Sequence, residues 1–370
     1  MRKTLSAVAL SLTAIGFQAA PTAAEQINFS TYIPASERAV AVGFEPLFKA
    51  VSEATGGELT AQILTAGQMF GPFDTLPGIE NGAVAGGTVF SGFYGKELPH
   101  AAFIEDTVAM NEDRVAAIGA ALETYFQDCP GCMEDEKKSG VVSVGGHALA
   151  PYVLICSKDI SSAEDLKGMR VRGTTGLMNS AIRLMGANGV NVAFGEISQA
   201  FERGAMDCML GNLSWISLFG ITEIVKTAVP EPTLGIVPAP MFVTFSRNAW
   251  DSWSDGVHKA FMEQMPHYVA DVTLAYRETD QAARDAAVEA GMKEVDLGED
   301  FAKLRADLEA VERERIVSEA RERGVEDPEA LLAAYEKNYA KWKELSAAID
   351  NDPDKFAEKL WDEIYSQLNL

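Results

Sequence analysis

Past its first two dozen residues, the 370-residue sequence lacks any apolar run of the roughly 20 residues that a membrane-spanning helix requires. Charged or turn residues divide every later hydrophobic stretch, so the mature chain is expected to be soluble. Positive charge is scarce: 31 Lys and Arg stand against 54 Asp and Glu, a formal net charge of −23. That balance favours solubility and opposes nucleic acid or anionic lipid as partners. Histidine is scarcer still, and His100, His147, His258 and His267 are too scattered to give zinc-ligand spacing. Absent too are a Gly-x-Ser-x-Gly elbow, a His-Glu-x-x-His pair and a phosphate-binding loop. No pair of carboxylates is picked out as catalytic. Neither an enzyme nor a cofactor or metal site is therefore expected.

What is present begins with an address. Arg2 and Lys3 precede an apolar stretch from Leu5 to Ile15, and Thr22-Ala23-Ala24 offers a small-residue cleavage site before Glu25. This reads as a secretory signal over 1–24, too short for an anchor, whose removal leaves the chain two units more negative. The remaining roughly 345 residues exceed what one hydrophobic core usually serves, so two domains with a cleft between them are expected. Cys129, Cys132, Cys156 and Cys208 are even in number and bound for an oxidising compartment, where disulfides form. Cys129-Pro130-Gly131-Cys132 has oxidoreductase spacing but lies between a helical segment and the charged run Glu134 to Lys138. A local structural disulfide fits that context better than redox catalysis.

Periodicity alternates strands with helices, the mark of an α/β sheet. Strands are expected at Ile27 to Tyr32, Leu59 to Leu64, Val141 to Gly145 and Tyr152 to Cys156, with helices at Glu37 to Ala54, Phe73 to Asn81 and Glu112 to Phe126. Met169 to Arg172, Leu177 to Met185, Val190 to Ala193, Ile197 to Arg203 and Met206 to Leu210 form a βαβαβ-like unit. Ile236 to Phe245 is a β-rich return, Ser252 to Ala290 is largely helical, and helices broken at Gly324, Pro328 and Pro353 fill the rest. The expected division is a first lobe over 25–150, completed near 236–290, a second over 151–235, and C-terminal helices over 291–370 packing across both.

Three blocks carry a family likeness: Gly56-Gly57-Glu58-Leu59 through Gly67-Gln68-Met69-Phe70-Gly71, then Ser161 through Asp165-Leu166-Lys167-Gly168-Met169-Arg170-Val171-Arg172, then Gly186-Ala187 through Phe194, Glu196 and Ala200 to Met206-Asp207. Together they resemble the DctP-type solute-binding subunits of tripartite ATP-independent periplasmic (TRAP) transporters. The resemblance implies a two-lobed periplasmic binding protein with mixed sheets, an interlobe cleft and long C-terminal helices. It also implies a small organic acid as ligand, TRAP membrane subunits as partners, and a periplasmic location; a monomer is expected. By position in the second block, the family's ligand-binding arginine falls on Arg172. The family's asparagine falls on Gly211 without a gap, or on Asn212 with one, and only Asn212 supplies an amide. Where some members carry another arginine this chain has Tyr152.

Spacing alone does not separate Arg172 from Arg170, which share one face of a strand. A planar guanidinium suits a carboxylate because its paired N–H donors match both oxygens. Trp215 follows Asn212 closely, while Tyr32, Phe70, Phe93 and Tyr94 end first-lobe segments and are expected to wall the cleft. With one arginine and aromatic walls, a monocarboxylate or a zwitterion is expected over a dicarboxylate, a cation resting on ring faces such as Trp215. Two other functions stay open: a ligand-binding sensor domain with the same cleft, and a periplasmic thiol oxidoreductase using Cys129 and Cys132. Mass spectrometry of the exported protein should find Glu25 as its first residue; an intact N-terminus would overturn the cleavage assignment.

Overall fold

The computed structural model describes residues 24–368, so the secretory signal lies, except for Ala24, outside the described residues. The chain runs β1 (Glu25–Ser30), α1 (Glu45–Ala54), β2 (Leu59–Leu64), α2 (Thr75–Glu80), β3 (Gly86–Gly87), α3 (Pro99–Glu105), α4 (Arg114–Glu123), α5 (Pro130–Lys138) and β4 (Val141–Ala148). It continues with β5 (Val153–Cys156), β6 (Arg170–Arg172), α6 (Gly176–Leu184), β7 (Asn188–Val190), α7 (Ile197–Glu202), β8 (Cys208–Gly211), α8 (Ser214–Leu218) and β9 (Thr227–Val229). A return follows through β10 (Pro238–Ser246), α9 (Arg247–Ser252), α10 (Asp255–Glu289) and β11 (Lys293–Glu294), and then α11 (Gly298–Arg323), α12 (Pro328–Ile349) and α13 (Pro353–Glu363).

These elements form two mixed sheets, ordered β2-β1-β3-β10-β4 and β11-β9-β5-β8-β6-β7, the architecture expected from the sequence. In the first, β1 pairs parallel with β2 and β3, and β10 runs antiparallel between β3 and β4. In the second, β6 is parallel to β7 and β8, as a βαβαβ unit demands, and β5 is antiparallel to β8 and β9. β10 is buried along its length. It tolerates two prolines because Pro238 opens it and Pro240 falls where the register with β4 shifts, between Ala239 and Val243.

The first core is strongly aromatic, with Phe29, Phe44, Phe48, Phe245, Trp250 and Phe261 in mutual ring contact. α12 lies close on α4 because Gly119 has no side chain: a Cβ there would come within 2.2 Å of the Trp342 ring. The helix expected over Glu37 to Ala54 is broken by a π-helical turn at Ala39–Phe44. The cause is close approach of α10, since a Cβ on Gly43 would fall 2.6 Å from Val272. The segment after Cys129 is itself helical: Cys129 caps α5 and Pro130 occupies its first turn, where a missing N–H does no harm.

Two disulfides are present, Cys129–Cys132 and Cys156–Cys208. The second joins residues directly opposite each other on β5 and β8. By closing a long loop it stabilises the second sheet by about 2–4 kcal/mol.

Chain crossings between the sheets are paired. The Leu149 N–H donates to Val237 O and the Tyr152 N–H to Gly235 O, each at 2.9 Å, while the Leu234 N–H returns a 2.8 Å bond to Tyr152 O. α11 straps the lobes: Phe301, Leu304 and Leu308 enter the second core and Ile316 and Ala320 the first. Arg305 of α11 donates to Thr233 O at 2.8 Å and also to Ala109 O, between the two cores.

Gly235 sits at φ 116° with Val108 O only 2.0 Å from the place a Cβ would take, whereas Gly57, at φ 83°, has open space around it. Gly235→Ala should therefore lower unfolding free energy by about 2–3 kcal/mol and Gly57→Ala by about 1 kcal/mol. Thermal and chemical denaturation measure both, and equal effects would show that the crossing is not tightly constrained.

Candidate functional site

Arg170 and Arg172, indistinguishable by spacing, have opposite environments. Arg170 is half exposed and forms a two-pronged pair with Asp207, its Nε 3.0 Å from Oδ2 and its Nη2 2.8 Å from Oδ1. The Arg170 N–H adds a third bond to the same carboxylate. Those bonds hold the Asp207 carboxyl below the usual range and raise the guanidinium above its ordinary value. This arginine is satisfied.

Arg172 is 3% exposed. Its Nε donates to Val192 O at 2.9 Å, while Nη1 is buried with no hydrogen-bond partner among the described residues. Burial pushes its affinity for the proton down, opposed by the nearby Tyr152 hydroxyl. Guanidinium is delocalised and keeps its proton in proteins, so the buried group carries its charge. Val192 explains why β7 ends at Val190 instead of extending to Ala193: the backbone beyond it turns its carbonyl to the arginine.

Trp215 lies over this guanidinium, with the ring centroid 5.9 Å from Cζ, within cation–π range. The ring reaches that position by lying on Gly211, where a Cβ would be 2.3 Å from Cε3. Glycine at 211 is thus required by the tryptophan, and the amide one position later belongs to Asn212. Its Nδ2 donates to Pro151 O at 3.1 Å and to Ala150 O, so this nitrogen clamps β8 to the crossing segment. Phe194 and Phe219 extend the aromatic surface: Phe194 meets Trp215 edge-on at 5.1 Å and Phe219 at 4.7 Å. Tyr152, buried at the start of β5, completes it 6.2 Å from Trp215.

From the first lobe, Tyr32 and Glu105 lie within electrostatic range of Tyr152. Burial, then the Glu105 charge, pushes both tyrosine hydroxyls well above their ordinary value, so both are neutral donors. The other first-lobe residues have partners within their own lobe. Phe70 lies flat on Gly78 of α2, where a Cβ would be 2.5 Å from its ring. Tyr94 donates to Pro72 O at 2.7 Å and accepts the Leu76 N–H at 3.1 Å. Both serve to hold the turn before α2, leaving Tyr94 no free hydroxyl hydrogen for a solute. Phe93 is partly exposed against Phe73 and Phe90.

Structure thus brings together Arg172, Trp215, Tyr152 and Tyr32, with Asn212 behind them. Sequence reasoning missed Val192, Phe194, Phe219 and Glu105. Phe194 was legible as an aromatic in the third family-like block; a backbone carbonyl and a lone glutamate carry no signal at all. The histidines are dispersed: His100 pairs with Asp135 at 2.7 Å, and burial holds His147, bonded to Tyr268, neutral with its pKa pushed down to about 3. Among the described residues no three His, Cys, Asp or Glu side chains converge as metal ligands, and no helix is long and apolar enough to cross a membrane.

The sequence model of the DctP family, described as bacterial extracellular solute-binding protein, family 7, matches residues 29–316. Solved structures agree in fold. A Bordetella pertussis extracytoplasmic solute receptor binding pyroglutamic acid superposes with a TM-score of 0.70 at 21% identity, over 85% of this chain and 100% of that one. A TRAP periplasmic solute-binding protein from Desulfovibrio salexigens, with bound orotic acid, gives 0.72 at 19% identity, over 86% and 99%. A marine-metagenome TRAP solute-binding protein specific for aromatic acids, with 3-hydroxybenzoate, gives 0.71 at 22%, over 86% and 98%.

The Arg170–Asp207 pair makes a pH prediction. Because the folded carboxyl value is depressed, its stabilisation is complete above the ordinary Asp value near 4 and is lost as pH falls below it. Exposure of Arg170 keeps that contribution small. Asp207→Asn should therefore lower the melting temperature slightly at pH 7, with the difference from wild type vanishing toward pH 2; a difference that persists there would rule out the ion pair as its source.

Proposed function

Since the chain belongs to the bacterial extracellular solute-binding proteins of family 7, we propose that its interlobe cleft reversibly captures a small organic carboxylate, with Arg172 as the anchor. Binding proteins of this kind release their ligand unchanged, so no catalytic group is needed. One observation carries the assignment: Arg172 Nη1 is buried without a partner beside an aromatic surface. An unpaired buried donor on a cation is costly, and a carboxylate oxygen reaching it relieves that cost with a charge-assisted hydrogen bond.

The solute carries one carboxylate, either alone or balanced by a cationic end. Tyr152, a neutral hydroxyl, stands where a second arginine would clamp a second carboxylate, and Trp215, Phe194 and Phe219 offer ring faces to the rest of the molecule. Pyroglutamic acid, orotic acid and 3-hydroxybenzoate, held by the structural relatives, each bear a single carboxyl group. Ligand bridging the two sheets favours a closed arrangement, which TRAP membrane subunits recognise at the periplasmic face. The paired crossings and the α11 strap are the elements about which such a change turns.

Titration calorimetry with dicarboxylates, 2-oxoacids and betaine-like zwitterions tests this. Arg172→Ala should weaken binding more than about 100-fold with an unchanged circular dichroism spectrum. Unaltered affinity would refute the anchor, and tight binding of C4-dicarboxylates alone would refute the single-carboxylate preference.

A further inference from the structure

Glu105 ends α3 as a carboxyl group only 3% exposed, and it takes no part in anchoring an anion. Its Oε2 accepts the Ser91 N–H at 3.0 Å and the Ser91 hydroxyl at 2.7 Å, and its Oε1 accepts the Gly92 N–H at 2.9 Å. A carboxylate offers about four lone-pair directions, so one remains. Gly92 is glycine because a Cβ there would lie 2.7 Å from Glu105 Oε1 and 3.3 Å from the Phe90 ring. Phe90 in turn packs against both cores, the second of which contains Tyr152 and carries Trp215 on its flank. Glu105 is thus linked through Gly92 and Phe90 to the cluster of Tyr152, the residue that Arg172 faces from the second lobe. Tyr152 senses both charges.

We propose that Glu105 is a second subsite, receiving a cationic nitrogen on the ligand whose carboxylate Arg172 anchors, so that the preferred solute is a zwitterion with one carboxylate. This rests on the Arg172 assignment and chooses between the two solute classes that assignment admits. Positive and negative ends of the solute are met by opposite charges on the two lobes, and closure is coupled to both.

The charged surroundings of Glu105 set a pH signature. Burial first, and then Asp106 beside it, push the Glu105 carboxyl up to about 8 against the pull of Ser91 and Gly92. Asp106 is itself met by Arg315 and Arg323 of α11, which also hold Glu319. On α5, Asp135 is engaged by His100. Tyr32 and Tyr152 remain neutral. A cationic nitrogen favours the ionised carboxylate, so its binding expels the proton. Affinity for a zwitterion should rise about tenfold per pH unit from pH 6 toward 8 and then level off, while a ligand without the cation gains nothing.

Calorimetry on matched pairs tests the proposal: L-proline with cyclopentanecarboxylate, L-phenylalanine with 3-phenylpropanoate, and glycine betaine with 3,3-dimethylbutanoate. The expected result is at least tenfold tighter binding of the cationic member in one or more pairs, with the stated pH rise, and loss of that advantage in Glu105→Gln. Equal binding within the pairs, preference for the uncharged isostere, or binding of no cationic member overturns it. If Glu105→Gln does not fold, the wild-type pH profiles decide, a flat profile for every zwitterion being the refuting result. Isosteres that bind wild type and are lost in Arg172→Ala would leave the anchor standing while removing the subsite.

Discussion

A cation kept out of water with one of its donors unpaired is the constraint around which the second lobe is arranged. Desolvating a guanidinium is expensive unless its hydrogen bonds are replaced. Only Val192 O replaces one at Nε, and the Trp215 face supplies a weaker attraction from above. Each requirement propagates. The Val192 carbonyl must leave the sheet, so β7 is short; Trp215 must lie flat, so position 211 cannot carry a side chain; Asn212 must brace β8 against the crossing at Ala150 and Pro151. In the proposed function a carboxylate removes the instability left at Nη1, and affinity would then be a property of the scaffold as much as of the contact.

Rigidity and mobility are divided between different parts. Within the second sheet, direct pairing and the Cys156–Cys208 bond hold β5 to β8, and β8 flanks the strand bearing Arg172. Between the sheets, the connections are paired backbone bonds and two long helices: α11, and α10, whose Ala287 packs in the second lobe and whose Asp280 accepts the Ser214 N–H at 2.9 Å. Under the proposed function, closure would turn on these connections while the sheet that bears Arg172 keeps its geometry.

Much of this was legible in the sequence where a residue's local pattern decides its fate. Alternation located β1, β2 and β5 to within two residues, and glycine and proline marked the ends of α2, α11 and α12. The resemblance pointed to Arg172, and burial now separates it from Arg170, which shares its face of the strand and was equivalent by spacing alone. What was not legible depends on partners far along the chain. The π-helical turn before α1 is imposed by α10, more than 200 residues later. Tyr94 and Phe70 end first-lobe segments, and the backbone acceptor and the glycine they meet there are partners that local pattern does not reveal. Glu105 gave no sign of itself because a glutamate is ordinarily a surface residue, and only the fold reveals the amides of Ser91 and Gly92 gathered on it.

α11 has a further consequence. Its first turns fill the second core with Phe301, Leu304 and Leu308, and the strand just before it, β11, forms the edge of the second sheet, although both follow the first lobe's longest helix in the chain. Neither lobe is therefore a contiguous genetic cassette. A gene cut after β9 would encode a second sheet without its edge and a core open on one side, so swapping whole lobes between relatives would not transplant a specificity. The frame of the second sheet is thus shared between stretches of chain that the first lobe separates.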